Sequence, residues 1–242
     1  MITTEIEKQR HEIYGLLAER RLKDAFGKLA VLVNELQDWI SRDKLNEMEM
    51  SYKYMIQYML DGVEDPERKR IYDHLVVSAY MLTDRVSDEL VARVSPSQYY
   101  GWRRYVKASR ANETLASQCD RCDQALNDLS LASLLSEQER DAAKIKSLKH
   151  RVEDEAGTLF MDVWTNYPAR EEDYSTLRET LYANRFPDDL VSLLISALLL
   201  NLLHRFDEEK LLLLLDGYRH ISPEIQLRSP VSYTHLTLPT IR

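Results

Sequence analysis

Residues 186–220 read FPDDLVSLLISALLLNLLHRFDEEKLLLLLDGYRH. Two strongly apolar segments flank a short polar turn at Arg205-Phe206-Asp207. This is the pattern of a helical hairpin buried on most of its circumference. The longest apolar run, Leu190 to Leu203, is interrupted by Ser192, Ser196 and Asn201, and it falls short of the ~20 residues a membrane-crossing helix needs. Fully burying one leucine contributes roughly 1.5–3 kcal/mol. A lone hairpin cannot bury all of those between Leu190 and Leu215, so the stretch predicts packing partners on more than one side.

The rest of the chain has the composition to supply them. It has 242 residues, enough for one large or two small domains, and is 44% hydrophobic, enough for a sizeable core. Only 6 glycines and 7 prolines argue against a β-rich or disordered chain. The formal net charge of -8 weighs against whole-chain affinity for nucleic acid or an anionic membrane. Two cysteines are too few for a disulfide framework, and the charged start MITTEIEKQRHEIYG lacks the apolar segment of a signal peptide. A cytoplasmic protein is expected.

Upstream of the hairpin the pattern stays helical. Thr4 and Glu7 have capping-box spacing, and Ile6, Ile13, Leu16 and Leu17 come next at helical intervals. A second stripe runs through Leu22, Ala25, Phe26, Leu29, Val33, Leu36 and Ile40. The segment Asp43 to Leu60 is rich in tyrosine and methionine and stops at Gly62; Asp65-Pro66 restarts a helix with Ile71, Leu75, Ala79, Leu82, Val86 and Leu90 on one stripe. Ser95-Pro96 repeats that signal, and Ala108 to Leu135 is expected to continue helical with a thin apolar face. Ser136 and Glu139 open a charged helix that ends at Tyr167-Pro168, and a short helix from about Glu171 to Tyr182 leads into the hairpin. The fold class is all-α: about ten helices, mostly in hairpins stacked as an α-solenoid-like array, with no sheet. The expected division is 1–110, an N-terminal helical-hairpin domain, and 111–229, a helical region ending in the 187–220 hairpin and one further helix.

Few residues carry chemistry. Cys119-Asp-Arg-Cys122 lacks the second ligand pair a structural zinc site needs, and it falls in a helical region rather than after a strand. His11, His74, His150, His204 and His220 are scattered without metal-site spacing. Phosphate-binding loops, dinucleotide fingerprints and nucleophile elbows are absent. No catalytic residue, cofactor or metal is expected. Tyr99, Tyr100, Trp102, Arg103, Arg104 and Tyr105 combine rings with positive charge, the composition of an interaction hot spot or a single-strand binder. The alternative is a helix whose rings face the core while Arg103, Arg104 and Lys107 face water. Arg140, Lys144, Lys146, Lys149, His150 and Arg151 read as a solvated helix face with internal ion pairs. The methionines and tyrosines from Met48 to Met59 read as a core or partner-helix face.

Two resemblances extend this reading. LLAERRLKDAFGKL, residues 16–29, resembles a tetratricopeptide junction, and residues 187–228 resemble a HEAT-like helical repeat. The chain as a whole resembles the N-terminal part of a larger bacterial α-helical repeat protein, which implies a fold but no catalytic residues. Near the end, Val231 to Thr240, VSYTHLTLPT, resembles the translation of a transposase-type sequencing adapter, so 230–242 is expected to be a non-native tail on a truncated chain. Leu211, Leu212, Leu214, Leu215 and Leu227 then form a candidate repeat-stacking face.

The expectation is a non-enzymatic scaffold or protein-interaction module with a protein or peptide partner and no membrane association, and the acidic net charge disfavours nucleic acid as a partner. The rivals are the helical portion of an enzyme or ligand-binding protein, and a nucleic-acid-associated helical protein using the Tyr99 region.

Overall fold

The computed structural model describes residues 2–62, 65–109, 113–134, 141–219 and 222–226. Among the described residues there is no strand, and the chain is all-α. The helices are α1 (Thr3–Ala18), α2 (Leu22–Leu36), α3 (Trp39–Leu60), α4 (Arg68–Val94), α5 (Gln98–Ser109), α6 (Leu115–Ser133), α7 (Ala142–Thr165), α8 (Glu171–Tyr182), α9 (Asp188–His204) and α10 (Glu208–Asp216), and after them a 3-10 turn at Gly217–Arg219. Residues 223–226 are again helical. The seam between two compact units falls between Pro96 and Ser97. That is earlier than the expected division at 110, because α5 packs on α7 and so belongs with the later helices.

In the first unit, α4 packs against α1, α2 and α3, α2 packs against both α1 and α3, and α1 returns onto α4. Ile13, Leu29, Leu32, Ala79 and Val86 of these helices have no solvent contact. Five of the six residues on the expected α4 stripe are buried, and only Ile71, at the helix start, is exposed. Local backbone chemistry divides the helices. Arg20 adopts a left-handed conformation (φ 59°) between α1 and α2, and the Tyr72 hydroxyl donates to its carbonyl at 2.9 Å. Gln37, also left-handed (φ 58°), breaks the second stripe before Ile40, which lies in α3 instead. Asp38 then caps α3, its carboxylate accepting from Ser41 N at 3.0 Å and Ser41 Oγ at 2.6 Å. These bonds, the hydroxyl's first, hold the Asp38 carboxyl below its usual range. Gly62 (φ 77°) ends α3 where a side chain would be strained. The Thr4–Glu7 box does not form, because α1 starts one turn position earlier with Ile2 ahead of it. Asp65 does not cap α4 itself; its Oδ1 accepts from Glu67 N at 2.9 Å in a turn preceding the helix.

In the second unit helices pack on the one two places along, and all but α5 also pack on a neighbour. α5, α7 and α9 touch in series, as do α6, α8 and α10, while α6–α7, α8–α9 and α9–α10 pair between the rows. The helix α9 supplies the centre of the core: Leu194, Ile195, Ala197 and Leu198 are fully buried, against Leu159, Val163, Leu177 and Leu181. The run expected to be continuous from Ala108 to Leu135 is two helices. Thr114 and Ser117 form a capping box that starts α6 anew, and Cys119, Cys122 and Ala125 supply its thin buried face. Ser136, Glu139 and Arg140 lie outside the described residues; α7 starts at Ala142, with Asp141 accepting from Ala143 N and Lys144 N.

Candidate functional site

In the first unit, helix α3 is flanked by apolar concavities. Met48 and Met55 turn inward, but Met50, Tyr54 and Tyr58 form a solvent-facing stripe at four-residue spacing. Two grooves flank the helix and share Tyr52 and Ile56. One, of about 520 Å³, lies against α2 and is walled by Phe26 and Gly27. The Phe26 and Tyr52 rings meet edge to face across it, centroids 6.1 Å apart. The other, of about 500 Å³, lies against the start of α4 and is walled by Met55, Met59, Pro66 and Tyr72. Burial pushes the Tyr72 hydroxyl above its ordinary pKa, so it stays a neutral donor to Arg20. A Cβ placed on Gly27 would meet nothing within 4 Å, so the α2 groove is open over that residue. Charges rim both grooves, with Arg20, Lys23, Lys53, Arg68 and Lys69 outnumbering Glu49, Asp65 and Asp73. Such walls hold apolar side chains; they bring no nucleophile and base together.

The residues singled out on α5 divide between core and surface. Tyr100 and Arg103 are buried, Tyr99 and Trp102 half-buried, and Arg104 and Tyr105 exposed. Tyr99 packs edge-on to Trp164 and lies over the His204 ring, centroids 4.1 Å apart. Arg103 donates to the Tyr167 carbonyl at 2.8 Å. The six therefore do not form one outward face. The leucines of α10 divide too. Leu212 and Leu215 are exposed and Leu211 half-buried. Leu214, with Leu213, is fully enclosed, as the Tyr182 hydroxyl from α8 donates to the Leu213 carbonyl. Leu214 is thus core, not stacking face, and Leu227 lies outside the described residues. A second exposed stripe, Leu193, Leu200 and Leu203, runs along α9.

Cys119 and Cys122 are both buried and unbonded to each other. The Cys119 Sγ lies 3.4 Å from Thr180 Oγ1, and burial raises both thiols, Cys122 to about 11. Neither is a thiolate at neutral pH, so neither is poised as a nucleophile. Among the described residues no group of His, Cys, Asp or Glu is placed to hold a metal ion, and no helix is long and apolar enough to cross a membrane.

Sequence reasoning passed over one cluster. Lys210, immediately ahead of the leucine run of α10, is wholly buried (0% exposed). Its Nζ donates to the Asn166 carbonyl and, at 2.9 Å, to Asn201 Oδ1, and it lies 3.6 Å from the Asp207 carboxylate. The Asn201 amide reaches back to the Trp164 carbonyl at 2.7 Å. Asn166 donates to Asp173 at 3.1 Å, and the Tyr174 hydroxyl donates to Asp207 at 2.9 Å. This network ties the end of α7 to α8, α9 and α10. The one signal for it was a lysine and an asparagine each set within a leucine-rich helix, at positions where only paired polar groups can be buried.

No family model, no curated protein and no solved structure matches the chain.

Proposed function

We propose that the protein is a helical interaction module whose first unit binds an apolar segment of a protein partner along α3. The observation that carries this reading is the pair of apolar grooves sharing Tyr52 and Ile56, bordered by the exposed Met50, Tyr54 and Tyr58. An exposed apolar patch of this kind on a well-charged protein marks an interaction site. An amphipathic helix with apolar residues at three- and four-residue spacing suits grooves between helices. The basic excess on the rim favours acidic flanks on that partner. The next-but-one helix contacts of the second unit support the expected stacked-hairpin scaffold. The exposed Leu212 and Leu215 are consistent with a further element covering that face. A nucleic-acid role would rest on α5, where Tyr99 and Tyr100 are turned to α7 and α9 and leave only Trp102 and Tyr105 as a ring pair towards the surface.

Gly27 provides the test. A phenylalanine there would fill the α2 groove while leaving the core untouched, since nothing lies within 4 Å of its Cβ position. Helical peptides selected on the wild-type chain should bind Gly27→Phe at least about tenfold more weakly, with unchanged helicity and melting. Selected peptides that bind both forms equally, or that respond only to changes outside the α2 and α3 walls, would sink the assignment.

A further inference from the structure

The second unit holds a cavity of a different chemical character, of about 240 Å³, bounded by the end of α5, by α6 and by the middle of α7. Its lining includes Glu113, Gln118, Arg121, Asp154, Glu155 and Asp162, so four carboxylates face one guanidinium. That guanidinium is already engaged: Arg121 pairs with Glu113 and, through Nε at 3.1 Å, with Glu155. Asp154 stands at the exposed rim, whereas Asp162 is completely buried. Gln118 is the second, independent feature. It is 3% exposed, it lines the cavity, and its Oε1 has no hydrogen-bond partner. Buried polar atoms in folded proteins are nearly always paired, so an orphan of this kind calls for an explanation. An amide oxygen accepts, so whatever completes it must donate.

We propose that this cavity binds a small organic cation carrying a guanidinium or ammonium group, which donates to Gln118 Oε1 and is held by the surrounding carboxylates. The lining excludes anions by charge. An organic cation is preferred over a metal ion because, among the described residues, no group of acidic side chains converges closely enough for metal coordination. A planar guanidinium presents several donors in a fixed fork, which suits an amide oxygen set among carboxylates. The site is separate from the α3 grooves, which are apolar and lie in the other unit.

Agmatine, which carries a guanidinium at one end and an ammonium at the other, is the probe. Calorimetric titration of the full chain with agmatine should show saturable binding at one site per chain, and titration with glutarate should show none. Gln118→Leu should weaken agmatine binding about tenfold, the loss expected for one hydrogen bond to a charged group, and Gln118→Glu should strengthen it. Circular dichroism reports whether each variant folds. If Gln118→Leu does not fold, Asp154→Asn at the exposed rim carries the test, with weakening of about threefold expected from the loss of one screened charge. Absence of saturation in the millimolar range would mean that Gln118 is served by water alone, and would overturn the proposal. So would equal affinity in the folded variants, or displacement of agmatine by magnesium at comparable concentration.

Discussion

The two units solve the same packing problem in different ways. In the first, α1 returns onto α4, so four helices close around a core in which Ile13, Leu29, Ala79 and Val86 have no solvent exposure, and polar contacts such as Tyr14 to Asp84 join α1 to α4 at its edge. In the second, helices advance by pairing with the next helix but one, and the row is fastened where α7 ends by Lys210, Asn201 and Asn166. Closure brings the last helix back onto the first, which fixes their register, and leaves an exposed apolar stripe along α3. An advancing row has no returning helix to fix its register. Directional polar bonds can fix it, at the cost that each buried member depends on the others.

The largest effect should come from breaking that fastening. Lys210→Met keeps much of the side-chain volume but leaves Asn201 Oδ1 and Asp207 without their buried cation. A loss of about 3–5 kcal/mol is expected, read as a lower denaturation midpoint and as faster amide exchange in α9 and α10. A loss below about 1 kcal/mol would mean that the row is held by leucine packing instead. The apolar counterpart is Leu29→Ala, a wholly buried residue of α2. It should cost about 2–5 kcal/mol through lost transfer energy and the cavity left behind, and it should leave exchange in α9 unaltered.

A smaller effect depends on pH. Burial raises the Cys122 thiol to about 11 from the 9 of a free thiol. A raised pKa means the folded state holds its proton longer. The thiol therefore has no effect on stability below pH 9, and stability falls as pH rises from 9 towards 11, by at most about 2–3 kcal/mol. Cys122→Ala should flatten that decline relative to wild type. In the folded chain neither cysteine should react with a disulfide reagent at pH 8; fast modification would show that α6 is not packed as described.

The difference between the units also explains which features could be read from the sequence. Apolar stripes are local and periodic, so α8 and α9 were legible almost to the residue, the buried stripe of α4 was legible though not its first turn, and so was the hairpin around Arg205-Phe206-Asp207. The break at Gln37 was not, because a left-handed residue other than glycine or asparagine leaves little mark in sequence. The α5 rings were legible as a cluster but not in their direction, since Tyr99 and Tyr100 are turned by partners on α7 and α9 that lie far along the chain. Lys210 and Asn166 were missed for the same reason: their pairing crosses 44 residues and obeys no period. The α3 grooves and the Gln118 cavity depend on which side chains are absent from a surface, which no stripe records.

The smallest effect compares one residue type in two settings. Asp38 and Asp207 both stand ahead of a helix and accept its first free amides, Ser41 N at 3.0 Å and Lys210 N at 3.1 Å. Asp38 does little more than cap. Arg85 is 3.9 Å away, and both partners are partly solvated, so that ion pair adds little. Asp38→Ala should therefore cost about 1 kcal/mol at neutral pH. Because the carboxyl is held below its ordinary range, this contribution is present above the usual carboxylate pKa and disappears as pH falls through the depressed value; wild type and variant should converge in acid. Asp207 caps in the same way but also faces the buried Lys210 and accepts from Tyr174. Its alanine variant should lose several times as much, because it strands a buried cation as well as a helix end. Equal losses at the two positions would mean that the polar fastening of the second unit contributes no more than an ordinary cap.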